Sequence, residues 1–135
     1  EAAQGLVLTE GFYWDHDDKS RAFSERFFKR TGRMPSMIHA GTYSATLSYL
    51  KAVKAAGTKD SDAVAKKLKE LPVDDAFAQG KVQENGRMVH DMYLFEVEKP
   101  SESKGRWDDY KLLATVPGDQ AFQPLADSRC PLVKK

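Results

Sequence analysis

From residue 18 to 71 the apolar side chains recur at helical spacing, and from residue 80 to 116 they alternate with period two. Only one apolar run precedes the helical stretch, "GLVLTEGF" at residues 5–12. The order is therefore one strand, three helices, then three or so strands. Helices of an α/β fold need a sheet of several strands to lie on, so this order is incomplete as a domain. The leading strand is apolar on both faces from Leu6 to Leu8, which predicts a strand covered on both sides of a parallel sheet.

The helix ends are marked by capping residues. Asp17 or Asp18 caps a first helix over about 18–31, with Phe23 and Phe27 on one face, Glu25 and Lys29 paired at the same spacing, and Gly32 and Pro35 as stops. Ser36 caps a second helix that runs to Gly57 with the stripe Tyr43, Leu47, Leu50 and Val53. Near its start Ala40, Gly41, Ser44 and Ala45 allow another backbone or a ligand to come close. A third helix starts at Asp60 or Ser61, turns Val64, Leu68 and Leu71 inward and Lys66, Lys67 and Lys69 outward, and stops at Pro72.

Asn85-Gly86 then gives the strongest short turn signal, since both residues tolerate positive φ. "MYLFEVE" and "YKLLATV" read as two strands joined by the polar, exposed connection "KPSESKGRWDD" at 99–109. The tail from Gly118 is irregular by pattern.

The chemistry is sparse. Lys and Arg (21) nearly balance Asp and Glu (20), so no field favours nucleic acid. No apolar run approaches the roughly 20 residues of a membrane span. His16, His39 and His90 lack zinc spacing, which points to no metal. There is no GxSxG, GxGxxG or P-loop, and no catalytic residue is assigned. Cys130 is the single cysteine, which excludes an internal disulfide. Asp74-Asp75 and Asp108-Asp109 read as solvated loop charges. Binding is the better reading: Phe12, Tyr13 and Trp14 follow a strand's C-terminal end and precede a helix, where open α/β sheets place ligands. The alternative is that the trio packs under the first helix, since aromatics are more often core than contact.

Several motifs, in order, carry a resemblance over about residues 1–116. They are Phe23, Phe27, Gly32 and Pro35; Gly41-Thr42-Tyr43-Ser44-Ala45 with Ala56-Gly57; Asp60, Ala63 and Val64; and Gly80, Val82, Gly86 and Arg87. Together they resemble the C-terminal part of type I periplasmic solute-binding proteins of branched-chain amino acid ABC transporters. The resemblance implies part of a two-lobed α/β fold, with residues 1–34 in the second lobe, 35–87 in the first, and 88–135 back in the second with the tail.

It also implies that about two thirds of the family's chain lies upstream, including the Ser/Thr loop that grips a ligand carboxylate. Cys130 is then open to pairing with an upstream cysteine. The implied function is non-catalytic binding, in the periplasm, of a branched-chain or aromatic amino acid or an aromatic carboxylate, with delivery to membrane permease subunits and no cofactor. A ligand-sensing domain of the same fold is the alternative. The implied ligand-binding residues are Phe12, Tyr13, Trp14, Asp15, Thr42 and Tyr43, with Tyr13 offering a hydroxyl and Asp15 an acceptor. By itself the chain is expected to cover its apolar faces by associating with a second copy as an intertwined dimer.

Overall fold

The computed structural model describes residues 2–133. It is a mixed α/β arrangement whose elements follow β1 (Val7–Glu10), α1 (Asp18–Thr31), α2 (Met37–Ala56), α3 (Ser61–Glu70), β2 (Pro72–Asp74), β3 (Gln79–Val82), β4 (Met88–His90), β5 (Met92–Val97), β6 (Tyr110–Val116) and the short α4 (Gly118–Ala121). The strands form two three-stranded sheets in the orders β1-β5-β6 and β2-β3-β4. Every pairing is antiparallel.

The three long helices begin and end at their expected caps. Asp17 accepts from the Ser20 amide at 2.7 Å while the Asp17 amide donates to the Ser20 hydroxyl at 2.8 Å, a reciprocal box that satisfies two free donors of α1. Gly32 and Gly57 close α1 and α2 at φ of 72° and 65°, a left-handed conformation that glycine takes without a Cβ clash. Burial pushes the Asp17 carboxyl up, but the Ser20 hydrogen bonds prevail and hold it below the usual carboxylate range. A carboxyl depressed in the folded state stabilises above its unfolded pKa and loses that contribution as pH falls. Asp17→Ala is therefore expected to cost about 1 kcal/mol at neutral pH, with the gap to wild type closing on acidification below about pH 4. Urea midpoints measured at pH 7 and pH 3 check it; an equal gap at both would remove the cap's charge from the account.

The leading strand departs from expectation. β1 pairs antiparallel with β5, Val7 opposite Glu96 and Leu8 opposite Phe95. Leu6 and Val7 are 61% and 57% exposed, so β1 is covered on alternate residues only. Among the described residues β1 pairs with β5 alone, and one of its faces is left uncovered. In α2 the expected stripe is only partly covered, with Leu47 and Val53 half-buried. Tyr43 and Leu50 are exposed, and the buried residues are the small Ala40, Ser44 and Ala52. Small side chains at the fully buried positions let neighbouring elements approach.

The hairpin between β3 and β4 turns at the expected Asn85-Gly86 pair. The Gly86 amide donates to the Gln83 carbonyl at 2.9 Å and the Gln83 amide to the Arg87 carbonyl at 2.8 Å. Only Gly86 has positive φ, 82°; Asn85 does not, and instead accepts from the Arg87 amide through its side chain. The turn is therefore a three-residue loop with one left-handed glycine. Beyond β6 the tail is more regular than its pattern, with α4 and a 3-10 turn at Leu125–Asp127. The α4 start is tied back by the Gly118 amide, which donates to Asp91 Oδ1 at 3.0 Å.

The core sits where α1 and α2 meet the exit of β1. Phe12, Phe23 and Ala40 are buried together, with Phe27, Met37 and Phe77 packed against them. Phe95, 1% exposed, is the corresponding anchor of the first sheet.

Candidate functional site

The site grows from the end of β1. Gly11 is buried, and a Cβ there would stand 2.9 Å from His90 Cε1, 3.3 Å from Phe77 Cζ and 3.5 Å from Met37 Sδ. A side chain there would have to push the His90 ring aside, because four parts of the chain converge: the exit of β1, the start of α2, the turn between β2 and β3, and the junction of β4 with β5. The His90 ring lies edge-on to Phe77 and Phe122, 4.9 and 5.3 Å away.

From Gly11 the three aromatics diverge. Phe12 turns into the core, 3% exposed and perpendicular to Phe23 at 6.1 Å. Tyr13 turns towards the first sheet and packs against Phe95 at 5.3 Å and Tyr110 at 5.2 Å. Its hydroxyl donates to the Trp107 carbonyl at 3.0 Å and accepts from the Asp109 and Tyr110 amides at 3.0 and 3.4 Å. Trp14 Nε1 donates to the same Trp107 carbonyl at 2.7 Å.

A cavity of about 410 Å³ opens beside this loop. Its walls are Phe12, Tyr13 and residues 16–20 at the start of α1, residues 75–79 from the turn between β2 and β3, and Asp91 and Tyr93 at the start of β5. It lies between the two sheets. The His16 ring stacks on Tyr93 with centroids 4.0 Å apart, and Phe77 forms a further aromatic surface.

The cavity carries negative charge. Four carboxylates line it, Asp17, Asp18, Asp75 and Asp91, against one lysine, Lys19, which pairs with Asp74. Asp18 pairs with Arg21 at 2.6 Å. The other three are held by neutral donors: Asp17 by Ser20, Asp75 by the Phe77 amide and the Ser44 hydroxyl, both at 2.8 Å, and Asp91 by the Gly118 amide. Neutral donors fix these groups without cancelling their charge. Burial, then the nearby charges of Asp91 and Asp17, push the Tyr93 hydroxyl up from its ordinary value. Asp75 is thus no solvated loop charge: it builds the turn that carries Phe77.

Of the residues singled out by sequence, the cavity gathers Phe12 and Tyr13. Phe12, Tyr13 and Trp14 together line a neighbouring 180 Å³ cleft with Glu10, Met34–Met37 and Trp107. Asp15 lines neither and pairs with Arg21 at 2.9 Å. Thr42 bonds back to the Ile38 carbonyl at 2.8 Å, and Tyr43 stacks on Phe23 at 5.0 Å beside a groove between α1 and α2. Sequence reasoning passed over His16, Phe77, Asp91 and Tyr93. Tyr93 and Phe95 share a face by strand alternation, a usable signal; Phe77 sits in a turn and gave none. Among the described residues no group of three His, Cys, Asp or Glu is placed to hold a metal ion. No helix among them is long and apolar enough to cross a membrane.

A family model described as periplasmic binding protein matches residues 1–106. A search of curated proteins gives no significant match. Among solved structures, the chain is similar to a periplasmic binding protein from Burkholderia mallei, with 51% identity and a TM-score of 0.96 over 99% of this chain and 36% of that one. It is also similar to a branched chain amino acid ABC transporter periplasmic ligand-binding protein from Burkholderia xenovorans, with 47% identity and a TM-score of 0.93 over 98% of this chain and 36% of that one. A solute binding protein of an ABC transporter from Rhodopseudomonas palustris, in complex with 3,4-dihydroxy benzoic acid, shares the fold at 21% identity and a TM-score of 0.75 over 87% of this chain and 32% of that one. The chain thus spans about a third of the length of these relatives. With the family model covering most of its length and two structures near 50% identity superposing on nearly all of it, the chain belongs to the periplasmic binding protein family.

Proposed function

We propose that this chain forms one side of the solute cleft of an extracytoplasmic binding component of an ABC importer. In that reading it binds without catalysis, closes on its solute by hinge motion and presents the closed form to membrane permease subunits. Residues 1–34 and 88–135 belong to one lobe and 35–87 to the other. The sheets support this division except at β4: β1, β5 and β6 make one sheet, while β2 and β3 pair with β4 (Met88–His90), which moves the second boundary from residue 87 to about residue 90. The junctions 31–36 and 90–92 are the places where the lobes would rotate.

The observation that carries the reading is the cavity between the two sheets, aromatic on its walls and acidic at its polar positions. Apolar pockets supply contact area and a few polar groups fix orientation. Phe12, Phe77 and Tyr93 would take a branched or aromatic side chain, and the excess of carboxylates, Asp17, Asp18, Asp75 and Asp91 against Lys19, favours an ammonium group over a carboxylate at this end. A hydrophobic or aromatic amino acid therefore fits better than an aromatic carboxylate.

Calorimetric titration of the full polypeptide that carries this sequence, against L-leucine, L-phenylalanine and 3,4-dihydroxybenzoate, tests it. Heat with the amino acids and none with the benzoate is expected. The reverse pattern would reassign the solute class, and no heat from any of the three would count against a cleft of this kind.

A further inference from the structure

The hydroxyl of Tyr13 is fully committed: it donates once and accepts twice, and all three partners are backbone groups of residues 107–110. Trp14 adds a second donor to the same Trp107 carbonyl, a 2.7 Å bond that crosses 93 positions of sequence. These residues come from the loop that walls the cavity, and their partners close the hairpin between β5 and β6. The hairpin loop is itself braced. The Lys99 amide donates to Glu102 at 3.0 Å, the Lys104 amide to Asp108 at 2.8 Å, and the Arg106 guanidinium stands 4.9 Å over the Trp107 ring.

A loop at the mouth of a site is ordinarily the most mobile part of it, and holding it still is how a fold reduces the ordering cost of binding. We infer that Tyr13 and Trp14 are positioning residues: they clamp the site loop to the β5–β6 hairpin, and their polar atoms serve that backbone and not the solute. This rests on the proposed solute cleft only for its consequence at the site. The clamp itself is a property of the chain.

The geometry distinguishes the clamp from direct solute contact. If Tyr13 offered its hydroxyl to a solute, three backbone groups would have to release it. If it is a clamp, residues elsewhere in the hairpin loop should matter to binding although they line no part of the cavity. Asp108 is such a residue, since it braces Lys104 and lies outside both the cavity and the Trp14 cleft.

Hydrogen exchange on the full polypeptide decides the clamp without any solute. Tyr13→Phe keeps the ring and removes the hydroxyl, so exchange at the Asp109 amide is expected to rise about fivefold or more, the loss of one hydrogen bond. Unchanged exchange at Asp109 would overturn the clamp. Calorimetry with L-phenylalanine and L-leucine then decides its role at the site. Tyr13→Phe and Asp108→Ala are expected to weaken affinity in the same direction, and their double variant to lose less than the two effects added together. Weakening by Tyr13→Phe with Asp108→Ala silent would mean direct contact and overturn the positioning role, as would no loss from either. Should the wild type bind neither amino acid while Asp109 exchange still rises, the clamp stands and the solute reading falls.

Discussion

Phe95→Ala is expected to destabilise the chain by about 3–5 kcal/mol, the usual cost of deleting a fully buried aromatic ring together with the cavity it leaves. Phe95 is 1% exposed and occupies the middle strand of the first sheet, opposite Leu8 on one side and Leu112 on the other. Tyr13, Tyr93 and Tyr110 all lie within 6.2 Å of it, ring to ring. No single neighbour can fill the space, because the Tyr13 hydroxyl is tethered and Tyr93 is stacked on His16. Collapse is therefore limited, and the cost falls at the upper end for such sites. Equilibrium urea unfolding checks it: the midpoint should fall with the slope unchanged. A loss under about 1 kcal/mol would mean that Phe95 does not anchor this sheet.

Gly80→Ala acts by the opposite mechanism, crowding, and is expected to cost about 3 kcal/mol. A Cβ at Gly80 would lie 2.1 Å from the Val89 carbonyl oxygen, with Met88 Cε and Sδ at 3.0 and 3.1 Å. The methionine can swing aside, but the carbonyl belongs to β4, whose register pairs Gly80 with His90 and Lys81 with Val89. Relief requires β3 and β4 to part. His90 ends β4 and abuts Gly11, so the disturbance also reaches the strand exit from which the site loop springs. Gly105→Ala is the control, since nothing lies within 4 Å of a Cβ there. Equal thermal midpoints for the two variants would show that β3 and β4 yield freely.

How much of this was legible differs by element. The three long helices could be read closely because each end is a local event. Asp17, Ser36 and Asp60 announce the starts, and Gly32, Gly57 and Pro72 the stops, within one turn of the residues they affect. Strand partners have no such local mark. That β1 lies antiparallel to β5, Glu10 opposite Tyr93, depends on segments more than eighty positions apart, and nothing in "GLVL" encodes the direction of its neighbour.

The site was legible in part for the same reason. A strand running into Phe12 and Tyr13 before a helix cap places the loop. The opposite wall does not follow from it, because Phe77 reaches the cavity only through a turn built by Asp75, and Asp75 is held by Ser44 from another helix. Trp107 sits in a segment whose polarity reads as exposed connection. A tryptophan amid Ser, Lys, Gly and Asp is a departure from that pattern, and here it marks a point where the connection is tied to the site loop.

The Trp14 to Trp107 contact has an optical consequence. These are the chain's two tryptophans, and both belong to the same contact, one through its indole N–H and the other through its carbonyl. Their emission therefore reports a single place in the chain, without label or insertion. Both indoles are half-buried, and an indole partly withdrawn from water emits at shorter wavelength than one fully in solvent. Movement of the site loop against the hairpin would shift that spectrum while the rest of the chain stayed dark.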